Sequence, residues 1–82
     1  MNLNKLRNGK LGIIIPCFNE SRNIEALIKE ISLIASSNKI EAYPIVIDDG
    51  SYDNTYNVAL EILKDEFERG FTIQRFIRNF GK

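Results

Sequence analysis

Three short polar segments carry the residue types that could do chemistry: PCFNE at 16–20, DDGSYD at 48–53 and RNFGK at 78–82. In the first, an aromatic ring, an amide and a carboxylate follow Pro16. Phe18 offers a ring face to a flat ligand. Asn19 and Glu20 can donate and accept hydrogen bonds at that ligand's edge. In the second, Asp48 and Asp49 are adjacent carboxylates that repel each other and lose hydration when buried. Such a pair is costly unless something positive, or a hydrogen-bond donor, uses it. Gly50 permits a tight turn, and Ser51 and Asp53 can cap a following helix. In the third, Gly81 frees the backbone, and Arg78 and Lys82 can meet phosphates. Each segment also has a plainer reading. PCFNE can be a helix start with Phe18 packed as core, the turn alone explains Gly50, Ser51 and Asp53, and RNFGK can be a solvated basic end. The turn does not explain why both Asp48 and Asp49 are acids.

The composition excludes several other chemistries. There is no histidine, so the usual general base near neutral pH and the commonest nitrogen ligand for metals are missing. Cys17 is the single cysteine, so an intramolecular disulfide and a cysteine zinc site are ruled out. It reads as a small buried filler after a strand, and one thiol fits a reducing, cytoplasmic setting. Lys plus Arg and Asp plus Glu number 11 each. That balance gives no global attraction to nucleic acid or an anionic membrane. MNLNKLRNGK is polar and basic, and the apolar run after it is short. A membrane span needs about 20 apolar residues, so neither a transmembrane segment nor a signal peptide is expected.

The elements that must position the three segments follow from hydrophobic patterning. LGIIIP is a β-branched apolar run, as in a strand of a parallel sheet buried on both faces. Ile24, Leu27, Ile28, Ile31 and Leu33 or Ile34 recur at helical spacing, with Asn19 or Ser21 as the cap and SSNK as the end. YPIVIDD is a second strand. Tyr56, Ala59, Leu60, Leu63 and Phe67 then form one helical stripe, with Asp53 as N-cap and Gly70 as stop. FTIQRFI is a third strand. The chain is thus an α/β, β-α-β-α-β parallel-sheet unit with right-handed crossovers. It stops shortly after the third strand, like the first half of a larger domain. In such sheets, ligands bind beyond the carboxyl ends of the strands, where all three polar segments fall.

IIIPCFNESRNI, IVIDDGSYDNT and RNFGK together resemble the family 2 glycosyltransferases, inverting enzymes of the Rossmann-like GT-A fold. Their first loop repeats proline, an aromatic, asparagine and glutamate. Their second strand ends in DDGS-x-D-x-T, and their third is followed by N-x-G-K. The resemblance runs from about Gly12 to Lys82, which makes 1–82 a partial family domain. It implies a nucleoside-diphosphate sugar as ligand. Pro16 and Phe18 would line the base pocket, and Glu20 would lie near the nucleoside beside Asn19. Asp49 would accept a hydrogen bond from a ring N–H of the base, supported by Asp48. Ser51 and Asp53 would shape the turn. Asn79, Gly81 and Lys82 would face the ribose-phosphate side. Phe18 stands where the family most often has tyrosine, which removes a hydroxyl.

The family's metal-binding D-x-D motif, its acceptor half and its catalytic carboxylate lie beyond this stretch. No catalytic or metal residue is therefore assigned here. The resemblance implies Mg or Mn for the complete domain and none bound by this chain alone. The implied function is the nucleotide-sugar-binding N-terminal portion of an inverting transferase acting on an acceptor such as a lipid phosphate or glycan. That places it in the cytoplasm, at the membrane surface in a full-length context. The competing reading is a non-catalytic nucleotide- or partner-binding remnant. A receiver domain wants its acid pair after the first strand, and a dinucleotide-binding half wants G-x-G-x-x-G there; neither pattern is present. In the family's sheet the strand LGIII is interior. It would here present an unpaired apolar edge, a template for self-association or for a missing C-terminal half, unless MNLNKLRNGK folds back on it.

Overall fold

The computed structural model describes residues 2–7, for the backbone, and 10–77. These residues form β1 (Asn2–Arg7), β2 (Lys10–Cys17), α1 (Ile24–Ser37), β3 (Glu41–Asp48), α2 (Thr55–Glu66) and β4 (Thr72–Arg75). Among the described residues the sheet order is β1-β2-β3-β4. β2, β3 and β4 run parallel, with Ile15 opposite Val46 and Val46 opposite Ile73. The β-α-β-α-β parallel-sheet unit read from the sequence is therefore present, in the Rossmann-like arrangement that the resemblance implies.

Both helices cover one face of this sheet. Ile13, Ile15 and Cys17 of β2 and Val46 of β3 form one buried cluster with Ile24, Ile28, Ile31, Ala59, Leu63 and Phe67. Burying each large aliphatic side chain stabilises the fold by about 1.5–3 kcal/mol. Alternation sends Ile14, Ile45 and Ile47 to the opposite face, where they are half-buried. Both strand prolines have a partner strand on one side only. Pro44 precedes the first β3–β4 pair, Ile45 with Thr72, and Pro16 lies past the last β1–β2 pair, Asn2 with Ile14. A missing N–H is tolerated at such positions.

The edge expected to be bare is covered. β1 pairs antiparallel with β2, so the N-terminal segment folds back along LGIII. The register shifts between Leu3 and Leu6: Leu3 stands opposite Ile13 and Leu6 opposite Leu11. Three residues of β1 thus span two of β2, the signature of a β-bulge. The premise of an unpaired β2 edge is overturned.

The helix boundaries also differ in detail. Asn23, rather than Asn19 or Ser21, precedes α1, and its side chain makes no capping bond. The Glu20 carbonyl closes that turn by accepting the Asn23 and Ile24 amides at 2.9 and 2.8 Å. Asn54 precedes α2. Asp53 stands one residue earlier, yet its Oδ1 still accepts the Thr55 amide at 3.0 Å. α2 ends before Gly70, whose amide donates to the Phe67 carbonyl at 3.0 Å. Leu33 and Ile34 are exposed, and the small Ala35 takes the buried position after Ile31.

Candidate functional site

The loops after β2 and β3 leave the sheet side by side. The Asp49 amide donates to the Cys17 carbonyl at 2.9 Å, extending the parallel ladder by one step. Gly50 then turns at φ 80°, and Asn19 turns in the other loop at φ 52°. Asparagine is among the few residues besides glycine that tolerate this left-handed region.

The two loops are cross-linked by groups more than 30 residues apart in sequence. The Asn19 amide donates to Ser51 Oγ at 2.8 Å, and the Glu20 amide donates to Thr55 Oγ1 at 2.7 Å. The Ser21 amide donates to Asp53 Oδ2 at 3.3 Å. In return, Asn19 Oδ1 accepts the Tyr52 amide at 2.8 Å and the Asp53 amide at 3.4 Å. The side-chain oxygen of Asn19 thus faces the neighbouring loop.

The two aspartates of the pair sit in different environments. Asp48 is fully buried, whereas Asp49 is exposed at the mouth of the sheet. Asp48 Oδ1 accepts the Ser51 amide at 3.0 Å and the Ser51 hydroxyl. Its Oδ2 has no hydrogen-bond partner among the described residues; Arg75 Nε lies 3.9 Å from it. The Arg75 guanidinium sits over the Tyr56 ring, 5.4 Å from its centre, in cation–π geometry. One carboxylate of the doublet thus anchors the turn from inside, and its neighbour lies at the surface.

Phe18 is not core. It is exposed and meets the exposed Tyr52 edge-on, with ring centres 6.0 Å apart and planes at 75°. Pro16 and Glu20 are also exposed. Between them a cleft of about 170 Å³ is lined by Pro16, Cys17, Glu20, Asn23, Ile24 and Leu27. Drug-sized ligands fill about 300–1,000 Å³, so this cleft holds part of a nucleotide at most. A cavity of about 510 Å³ lies at the other end of the sheet, among Ser36, Lys39, Glu41 and Glu66–Gly70. It is remote from all these groups.

The structure therefore brings together Pro16, Phe18, Asn19, Glu20, Asp48, Asp49, Ser51 and Asp53. Asn79, Gly81 and Lys82 lie outside the described residues. Sequence reasoning missed Thr55, Tyr52 and Arg75. Thr55 had a signal, the last position of D-x-T in DDGSYDNT; Arg75 stood out only as a member of a basic cluster with Arg78 and Lys82, and its place opposite Asp48 comes from the strand register.

The titrations follow from these contacts. Burial, then the carboxylates of Asp48, Glu20 and Asp53, push the Cys17 thiol up to about 11, so it stays a protonated filler at neutral pH. The Thr55 hydroxyl bond, with help from the Ser21 and Thr55 amides, outweighs partial desolvation and lowers Asp53 to about 2. A value depressed below the ordinary 3.8 means that ionised Asp53 stabilises the fold. That contribution is complete above 3.8 and is lost as pH falls through about 2. The melting-temperature gap between the parent and Asp53→Asn is expected to be constant above the upper value and to shrink toward the lower one. A gap that stayed constant through this range would remove the ionised Asp53 from the loop contact.

The resemblance implies Mg or Mn in the complete domain. Among the described residues, no three His, Cys, Asp or Glu side chains gather into a metal-binding group. Asp48 and Asp53 are committed to the Ser51 and Thr55 hydroxyls. The described residues by themselves do not fit that cation. Also among the described residues, no helix is long and apolar enough to cross a membrane.

Comparison with known proteins decides the family. The model of "Glycosyl transferase family 2" matches residues 12–82. The chain belongs to glycosyl transferase family 2. It is 32% identical over 88 aligned positions to the dolichyl-phosphate beta-glucosyltransferase of Saccharomyces cerevisiae, covering 99% of this chain and 26% of the yeast protein. It is 33% identical over 73 positions to an uncharacterized glycosyltransferase of Synechocystis sp., covering 89% of this chain and 22% of that protein. This family 2 chain thus spans about a quarter of the length of these curated relatives. The matched region contains the PCFNE and DDGSYD loops and the elements that hold them.

Proposed function

We propose that this chain is the nucleotide-sugar-binding portion of an inverting glycosyltransferase, a partial family domain that does not catalyse transfer alone. The observation that carries the reading is the clasped loop pair. It holds the PCFNE and DDGSYD segments side by side at the carboxyl ends of β2 and β3, with Phe18, Glu20 and Asp49 exposed, and open α/β sheets take ligands at such ends. In this reading Phe18 lies against the base and Asp49 accepts a ring N–H. Asp48, held by Ser51, fixes the strand end from which Asp49 projects. The ribose-phosphate side falls to Asn79, Gly81 and Lys82.

These residues bind and orient the donor. Transfer also needs a base to deprotonate the acceptor and a cation to steady the leaving diphosphate, and the remainder of the domain supplies both. The name of the yeast relative supports a lipid phosphate as the acceptor. A nucleoside-diphosphate donor on the cytoplasmic side of a membrane fits that chemistry.

Calorimetric titration of the 82-residue chain with uridine and guanosine diphosphate tests the reading. Saturable binding of at least one is expected. Incubation with a sugar nucleotide and a polyprenyl phosphate is expected to release no diphosphate. Binding of neither nucleotide by the folded chain overturns the donor-site assignment, and turnover by the chain alone overturns the division of labour.

A further inference from the structure

We propose that Thr55 is a positioning residue of the donor site, its hydroxyl fastening the Glu20 backbone to α2 so that Phe18 and Glu20 are set before ligand arrives. The inference rests on the nucleotide-binding reading above and extends it to a residue outside the opening. Two hydroxyls act alike across the loop pair. Ser51 donates its proton to Asp48 and accepts the Asn19 amide. Thr55 donates its proton to Asp53 and accepts the Glu20 amide. In each, a carboxylate draws on the hydroxyl proton and makes the oxygen a stronger acceptor for the amide. Each relay thus runs carboxylate, hydroxyl, amide.

The Thr55 relay has the firmer base. Thr55 is fully buried and is the first residue of α2, whose next turn packs Ala59 into the core. Ser51 sits in the loop itself, between Gly50 and Tyr52. Thr55 therefore ties the PCFNE loop directly to a helix, whereas Ser51 reaches β3 only through the Asp48 side chain. Phe18 and Glu20 flank Asn19 at its left-handed turn, so an untethered Glu20 amide lets both side chains wander. Ordering them on binding then weakens affinity, which is the cost that preorganisation avoids.

The test compares Thr55→Val, Thr55→Ser and Asp53→Asn in the full chain. Calorimetry with uridine and guanosine diphosphate reads affinity, and amide hydrogen exchange at Glu20 reads the tether. Thr55→Val is expected to weaken nucleotide binding about tenfold and to speed Glu20 exchange. Thr55→Ser, which keeps the hydroxyl, is expected to restore both to within about twofold. Asp53→Asn, on the exposed side of the relay, is expected to give a smaller loss in the same direction, and it carries the test if Thr55→Val does not fold. Parent-like affinity in both Thr55→Val and Asp53→Asn overturns the positioning role while leaving the donor-site reading intact. Failure of Thr55→Ser to rescue overturns it too, since side-chain packing rather than the hydroxyl would then be the agent. A parent chain that binds neither nucleotide removes the donor-site reading and this inference with it.

Discussion

Asp49→Ala is expected to weaken uridine or guanosine diphosphate binding at least about tenfold, as loss of a hydrogen bond to a charged group implies, while leaving the fold nearly unchanged. Asp48→Ala is expected to act first on the stability of the fold, and on binding only through the strand end it supports. Asp49 is exposed at the strand end, so its loss costs the fold less than loss of a buried carboxylate. Asp48 is fully buried and holds both the Ser51 amide and the Ser51 hydroxyl. Removing it leaves those donors unmet and takes the counter-charge from Arg75, which is half exposed and recovers water. Hydrogen bonds to a charged group are worth about 1.5–3 kcal/mol. In a domain of this size each kcal/mol moves the melting temperature by about 4–8 °C, so a fall of at least about 6 °C is expected. Calorimetric affinity and thermal melting of the two variants, side by side, separate the roles. Equal affinity of Asp49→Ala and parent would sink the base-reading assignment. A parent-like melt for Asp48→Ala would sink the anchor.

The contrast also shows what the sequence could carry. IVIDDGS marks the end of a buried strand, and two acids there demand partners. Alternation puts Asp48 on the same strand face as Val46, and Ile45 and Ile47 on the other. That much was legible. The cross-loop bonds were not, because Asn19 and Glu20 meet Ser51, Asp53 and Thr55 only once β2 and β3 lie parallel. Asn19 looks like a ligand-facing amide when PCFNE is read alone, and the fold turns its oxygen to the Tyr52 and Asp53 amides. The α1 stripe was legible through Ile24, Ile28 and Ile31. It failed at Leu33 and Ile34, where size suggested burial and the helix instead buries Ala35. Ile34 instead borders an apolar groove of about 260 Å³ with Leu11, Ile13, Ile31 and Ile40.

Deletion of residues 1–9 is expected to drive self-association of the chain. β1 escapes a search for alternating apolar residues because Leu3 and Leu6 are three apart, a spacing foreign to a regular strand. The bulge absorbs the extra residue and sets both leucines opposite β2 residues of the same alternation, Ile13 and Leu11. With β1 removed, β2 offers a row of unpaired backbone groups along Leu11–Ile15, and its side chains are among the most apolar in the chain. Such an edge templates pairing with another copy. The other edge gives less purchase, since β4 spans only Thr72–Arg75 and is exposed at Gln74 and Arg75. Light scattering across a concentration series, for full and shortened chains, reads the difference. The shortened chain is expected to associate at concentrations where the full chain does not, and to regain the full chain's behaviour when a Lys is placed at Ile14, since charge on an edge strand opposes pairing. Identical scattering from the two chains would show that β1 does not protect the β2 edge in solution.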